Sequence, residues 1–465
     1  MSNVGCVLPL PSVAFPPMLR PMRALPGLPL PPALTLLPYL YRPFPFLDAM
    51  ARRYPDAFTI RFPAMPKPAV VFHRPEAAKE VFALGADDAH TGQVNAVLGP
   101  ILGKASLLLL DGKEHLRQRK LLMPPLHGER MSSYGARMIA LTEASIATWP
   151  ERERFPVHEH LQAITLDVIL RVVFGIAEGE LFDRLRKRLV GILELATNPL
   201  FLVPMFQKNL GPLTRWNNLT RALTEADEML YGEIRRRRET GERGDDILSL
   251  LLDARDEQGE PMSDVELRDE LMTLLAAGHE TTATALSWAL RWILASKSLA
   301  PRLVRELEAE GALPGLAPEK IARCALLDAT AREALRLQPV VPMVGRLLQK
   351  PTRIGGYDLE AGTPVLVSIY LIHRNPDLYP DPTRFDPDRF LRQKFAPHEW
   401  LPFGGGIRRC IGMAFALYEM KMILATILAR AELRLPLFGK VREVRRGVTI
   451  TPSGGMPIVL ERRAS

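Results

Sequence analysis

From Ser263 the chain reads SDVELRDELMTLLAAGHETTATALSWALRWILAS, a run whose apolar residues keep helical spacing throughout. Ser263 with Glu266 three residues later forms a capping box, each side chain satisfying an orphan backbone N–H of the first turn. The pattern continues for about 30 residues, enough at about 1.5 Å each to cross a whole domain. Two features interrupt its apolar character. Gly278 weakens a helix by about 1 kcal/mol relative to alanine. Glu280, Thr281 and Thr282 place polar groups in the middle of the run.

Other stretches follow helical spacing or strand-like patterns. FLDAMARRY (46–54) has helical spacing, AFTIRF (57–62) and AVVFH (69–73) read as two strands, and a helix is predicted around 75–84. From about 114 to 255 the patterns are long, amphipathic and helical. NPLFLVPMF (198–206) interrupts them as an apolar, proline-broken stretch, suited to a lid or to an ordinary buried connection. A helix is expected over 320–339, stopped by Pro339, then strand-like residues at 363–372. A proline- and aspartate-rich loop (375–390) leads to FGGGIRRCIG (403–412), and a last helix covers 413–430. No internal repeat is visible. The pattern predicts a mainly helical chain with minor sheet near both ends of its globular part.

The beginning of the chain differs. Residues 1–19 carry no charge, but Pro9, Pro11, Pro16 and Pro17 break any continuous membrane helix. No early basic region with a cleavage site marks a signal peptide. Residues 1–45 are expected to be an extended proline-rich lead segment, with Met18 or Met22 as alternative starts and a peripheral membrane contact left open.

Composition adds a few limits. At 465 residues and 47% hydrophobic content the chain can bury a large core. Cys6, Cys324 and Cys410 form no C-x-x-C pair, so a reducing cytoplasm is expected. The formal net charge of +8 fits an arginine-rich surface or a basic face for an acidic partner protein. No basic tract points to nucleic acid.

The chemistry gathers at three places. Cys410 precedes a helix and follows Arg408 and Arg409, so the helix end and two guanidinium groups favour a thiolate. A nucleophile would need a paired histidine base, and no adjacent one exists. Zinc would need more sulfur and imidazole nearby. One thiolate in an open loop fits a single axial ligand to haem iron. Read as a dinucleotide fingerprint, the glycine run fails, with Arg409 at the third glycine position. In AGHETT (277–282) the zinc protease pattern fails at Ala283. Glu280 beside Thr281 can instead relay protons, and the threonine hydroxyl can turn back to a carbonyl one turn earlier, locally opening the helix. In EALR, Glu333 and Arg336 share one helix face.

Together FGGGIRRCIG, AGHETT, EALR and PDRF (387–390), in this order and spacing, resemble the cytochrome P450 haem-thiolate monooxygenases of soluble bacterial type. The resemblance runs from about Pro26 nearly to the end. It implies a mainly α fold with small β-sheets, a triangular helical prism with a long central helix over haem b. A proline-rich segment (1–25) would precede a single haem domain (26–465). By the same likeness Cys410 is the proximal iron ligand and Phe403 shields it, while the glycines bring backbone N–H groups to the sulfur. His115, Arg119, Arg346 and Arg408 match positions that contact the haem propionates. Glu280 and Thr281 match the acid–alcohol pair that delivers protons for dioxygen cleavage, whereas His279 takes no catalytic role. Glu333, Arg336 and Arg389 match a structural triad that locks the haem loop.

The likeness also sets expectations about partners. No dinucleotide fingerprint or iron–sulfur cysteine set is present, so electrons are expected from a separate ferredoxin, or a flavodoxin, with its reductase. Substrate contacts are expected at 94–98 including Val97, at 198–206, at Thr273 and Ala277, and at 340–344 including Val341 and Met343. These stretches are apolar, which implies a lipophilic substrate such as a fatty acid, terpenoid or steroid, and the likeness implies its hydroxylation or epoxidation by a monomeric cytoplasmic enzyme without a transmembrane span. A non-catalytic haem-binding sensor or sequestering protein, or a scaffold acting through the proline-rich start, are the alternatives.

Overall fold

A computed structural model describes residues 25–28, 31–62, 65–128, 131–196 and 214–463. The expected lid at 198–206 and nearly all of the segment 1–25 lie outside the described residues.

The long helix spans Asp264–Ala295, 32 residues, and its capping box is complete. Glu266 N–H donates to Ser263 Oγ at 3.2 Å, and Ser263 N–H donates to Glu266 Oε2 at 2.7 Å. Leu267, Leu271, Leu275, Leu286, Trp288 and Ile293 bury several faces of this helix at once, as expected for one that runs through a core. Helices Val157–Val168, Ala325–Leu337 and Met413–Arg430 pack around it.

A five-stranded sheet lies to one side, in the order Ala57–Ile60, Ala69–Phe72, Pro364–Ser368, Met343–Leu348, Ala89–His90. Its one parallel pair joins Ala69–Phe72 to Pro364–Ser368, with Val70 opposite Val365. Val344 and Met343 take opposite faces of their strand, as a period of two requires. Val344 packs in the cluster with Phe72, Val365 and Leu401, and Met343 in the cluster with Phe44, Phe58 and Tyr370.

Three expectations change. Within 1–45, residues Pro32–Tyr41 form a helix rather than extended chain, started by proline at its first position. The helix expected over 320–339 is two, Pro318–Ile321 and Ala325–Leu337, separated by an extended Cys324. The second starts there because the Glu306 carboxylate accepts the free N–H groups of Leu326 at 2.6 Å and Leu327 at 3.0 Å. The strand expected through 372 stops at Ser368, whose hydroxyl accepts Leu371 N–H at 3.4 Å and begins the short helix Ile369–Ile372. Among the described residues, no helix is long and apolar enough to cross a membrane.

Candidate active site

The loop before the last helix is held by its own backbone. Cys410 N–H donates to the Phe403 carbonyl at 2.9 Å, and Gly404 N–H to that of Leu401 at 2.9 Å. Gly404 and Gly406 have φ of +67° and +64°, a region where a side chain is strained. A Cβ on Gly405 would lie 2.4 Å from the Phe82 ring, and one on Gly406 would lie 2.2 Å from the Phe82 carbonyl oxygen. These two glycines therefore serve close packing on Phe82, at the end of helix Pro75–Phe82, and not approach to the sulfur. Gly412 is the glycine whose N–H reaches the Cys410 thiol. Phe403 is half-buried, its ring edge-on to Trp400 at 5.9 Å between centroids.

Of the two described cysteines Cys324 is buried and Cys410 accessible. Cys410 nonetheless lies deep enough that burial raises its thiol above the usual range, outweighing the opposite pull of Gly412 N–H, Arg119 and Arg409. Helix end and arginines act in the expected direction, but the surrounding protein wins.

Four side chains expected to act together, three arginines and a histidine, come from three elements. His115 and Arg119 stand on helix Gly112–Leu122, Arg346 on strand Met343–Leu348, and Arg408 in the glycine loop. Arg408 donates to the Leu107 carbonyl at 3.2 Å, to the Leu110 carbonyl and to the Asp111 carboxylate. Arg346, nearly fully buried, donates to the Gly405 carbonyl at 3.2 Å and to its neighbour Gly345 at 2.8 Å. Burial lowers His115 to about 3, and Arg408, Arg119 and Arg346 repel its proton further. Burial, then repulsion from Arg408, lowers Arg346 to about 10; burial, together with repulsion from Arg119, lowers Arg408 to about 10. His115 Nδ1 and Arg408 Nε are buried without a hydrogen-bond partner. The Asp111 carboxylate pulls both arginines back up. It is already engaged by the backbone N–H groups of Thr91 at 2.8 Å and Gly92 at 3.0 Å. A buried excess of cations with orphaned donors calls for an anionic partner, and the two propionates of haem b have the matching charge.

The middle of the long helix has two sides. Ala277 is exposed and Leu274, Gly278 and Thr281 are half-buried, a stripe at i, i+3, i+4 and i+7, with Ala276 also half-buried beside it. Thr281 Oγ1 donates to the Ala277 carbonyl, yet the helix continues without a break. Glu280 is buried against helix Val157–Val168. There Gln162 Nε2 donates to its Oε2, and His158 Nε2 lies 3.5 Å from its Oε1. Burial alone would raise this carboxyl, but His158, Arg446 and His279 together hold it below the ordinary carboxylate range. His279, lowered to about 4 by burial, points its Nδ1 at no partner.

The structure joins Glu333, Arg336 and Arg389 in one buried unit. Arg336 grips Glu333 with two bonds of 2.7 and 2.8 Å, and Arg389 Nε adds a third at 3.1 Å. Arg336 also holds the carbonyls of His373 at 2.7 Å and Pro382 at 2.8 Å, so the helix clasps the proline-rich loop.

The expected substrate contacts separate. Val97 and Val341 are half-buried. A Cβ at Gly345 would lie 3.4 Å from Val94, so 94–98 adjoins the strand Met343–Leu348, and one at Gly404 would lie 4.0 Å from Val344, so that strand adjoins the glycine loop. Met343 sits on the other face of its strand. Thr273 is buried, its hydroxyl 2.7 Å from Ser106 Oγ and 2.6 Å from the Asp269 carbonyl, so it holds the neighbouring loop. Asp269 and Glu270 do the same, accepting Ala105 N–H at 2.9 Å and Leu107 N–H at 2.8 Å. Sequence reasoning passed over Asp111, Asp269, Glu270, His158 and Phe82; only the two acids inside an apolar helix pattern left a readable signal.

Comparison with known proteins places these features in a family. A model described as Cytochrome P450 matches residues 26–458. Cytochrome P450 135B1 of Mycobacterium tuberculosis is 38% identical over 415 residues, 89% of this chain and 86% of the relative. Cytochrome P450 135A1 of the same organism is 38% identical over 425 residues, 90% and 91% of the two chains. Among solved structures, retinoic acid-bound cyanobacterial CYP120A1 superimposes with a TM-score of 0.83 at 25% identity, over 95% of this chain and 100% of that one. The cytochrome P450DA heme domain gives 0.82 at 24% identity, over 96% and 100%.

Proposed function

The chain belongs to the cytochrome P450 family, and we propose that within it the chain inserts one oxygen atom from O2 into a lipophilic small molecule held above the Cys410 loop. Membership makes it a haem-thiolate monooxygenase that carries haem b, uses O2 and draws electrons from redox partners. Its mainly helical fold with small sheets is the P450 fold.

Haem b, when bound, supplies the dioxygen chemistry. The protein's own residues do the rest. Cys410 holds the iron, and Phe403 shields the sulfur. Arg346, Arg408, His115 and Arg119 hold the propionates, and the Glu333–Arg336–Arg389 unit fixes the loop. Thr281 presents a hydroxyl on the open stripe, and Glu280, one residue before it, is the carboxylate that would relay protons to it. The convergence of Arg346, Arg408 and His115, with orphaned donors, behind an accessible Cys410 carries this reading.

A fatty acid, terpenoid or steroid is the proposed substrate class, hydroxylated or epoxidised. Leu274, Ala277 and Gly278 offer no charge along the open stripe, and Val94 and Val344 are themselves apolar and half-buried. CYP120A1, named as bound to retinoic acid, supports a lipophilic ligand. Residues 26–465 are proposed as one haem domain served, as a monomer, by a separate ferredoxin or flavodoxin. The test is turnover of a lipid panel by holoprotein with NADPH, a surrogate ferredoxin and its reductase under 18O-labelled dioxygen. A product carrying one labelled atom is expected. Intact holoprotein that binds lipids yet oxidises none would favour a sensor or sequestering role.

A further inference from the structure

A buried cluster outside the haem-loop contacts occupies the crossing of helix Val157–Val168 with the long helix. Its hydrogens can be counted. Ser287 Oγ lies 2.8 Å from the Ala283 carbonyl, which can only accept, so the single hydroxyl hydrogen of Ser287 is committed there. His158 Nδ1 lies 3.0 Å from the same Oγ, which is left to accept, so Nδ1 carries a hydrogen. The other ring nitrogen, Nε2, is buried with no hydrogen-bond partner, and Glu280 Oε1 stands 3.5 Å away. Glu280 Oε2 already accepts from Gln162, and Thr284 Oγ1 reaches Oε1 at 3.5 Å.

A neutral imidazole with its hydrogen on Nδ1 would set the Nε2 lone pair against a carboxylate oxygen in a buried site, where such repulsion is poorly screened. One proton between the two atoms removes the conflict. We infer that His158 and Glu280 form a dyad sharing one proton between Nε2 and Oε1, so that His158 is a positioning residue keeping the acid charged. With the proton on Nε2 the pair is imidazolium and carboxylate. When it moves, the N–H bond breaks, an O–H bond forms on Oε1, and His158 remains in the Nδ1–H form that Ser287 already holds. When the dyad gives the proton up, the carboxylate alone is left charged. A lone Glu280 would have no such store.

The charged and titratable groups facing Glu280 are His158 from the neighbouring helix, His279 on its own helix and Arg446 from strand Glu443–Arg446. His279 is itself held neutral by burial, and His158 Nε2 is the ring nitrogen that stands 3.5 Å from Oε1.

This inference rests on Glu280 as the proton source beside Thr281, but its test does not use turnover. In the reduced, carbon monoxide-bound holoprotein, which is diamagnetic, the ring nitrogens of labelled histidines are followed by NMR and the glutamic-acid carboxyl band by infrared. His158 is assigned through His158→Asn. At about pH 7 one proton is expected on the pair, seen as an imidazolium His158 or as a carboxylic-acid band that Glu280→Gln removes. In Glu280→Gln the His158 ring should bind its proton at least tenfold more weakly. If His158→Asn does not retain haem, the ring that moves in Glu280→Gln supplies the assignment. A neutral His158 with no carboxylic-acid band, or a ring unmoved by Glu280→Gln, overturns the dyad. A failed thiolate assignment is distinguished by its effect on the carbon monoxide spectrum, which the dyad does not alter.

Discussion

His373 Nε2 accepts the backbone N–H of Leu401 at 2.8 Å, while its Nδ1 lies 3.1 Å from the Arg336 carbonyl. Those two contacts fix the tautomer, with the hydrogen on Nδ1. They also tie the Glu333–Arg336 helix to the segment that reaches Phe403 two residues later.

The ring is fully buried, and burial followed by the Arg336 charge lowers it to about 3 from an ordinary 6.5. The unfolded chain takes up this proton below pH 6.5 and the folded chain does not, so stability is whole above that pH and falls as pH drops toward 3. His373→Leu should cost about 2–5 kcal/mol at neutral pH by orphaning two backbone groups. It should also flatten the acid-side loss. Urea unfolding between those pH limits measures both.

Gly405→Ala and Gly406→Ala should both deplete haem, for different reasons. The first meets the Phe82 ring and the second the Phe82 backbone, from a left-handed φ. Adding Phe82→Ala should therefore restore haem content to Gly405→Ala and leave Gly406→Ala deficient, as absorbance per polypeptide would record.

Arg346→Gln should weaken haem retention while sparing the fold. Losing a charge-assisted contact costs about 1.5–3 kcal/mol, a tenfold or greater rise in haem release. In the haem-free protein the same change relieves repulsion with Arg408, so the melting point should hold or rise. Transfer to a haem-scavenging globin and thermal melts separate the two effects.

Gly278→Ala should stabilise the protein by about 0.5–1 kcal/mol. The new methyl meets Ile169 at 3.4 Å, an ordinary contact, and the helix already passes through this position. Denaturant midpoints at constant slope would register the gain.

Local signals were legible. The Ser263–Glu266 box and the 413–430 pattern each name a helix that forms where expected. What escaped depends on partners distant in sequence. Glu306 starts a helix twenty residues on, and Ser106 claims the Thr273 hydroxyl across 167 positions. Neither pairing leaves a period in the chain. The glycine run was legible as a place of close approach, but what approaches Gly405 and Gly406 is Phe82, and only Gly412 meets the sulfur. The charge around Cys410 was legible too, whereas the opposing cost of burial became visible only with the fold.

The central claim is that Cys410 is the thiolate ligand of the haem iron. The carbon monoxide difference spectrum of the reduced holoprotein tests it most directly. A Soret band near about 450 nm in the wild-type protein, lost in Cys410→Ala, is the predicted result. Absence of that band from wild-type holoprotein, or its survival in Cys410→Ala, would contradict it.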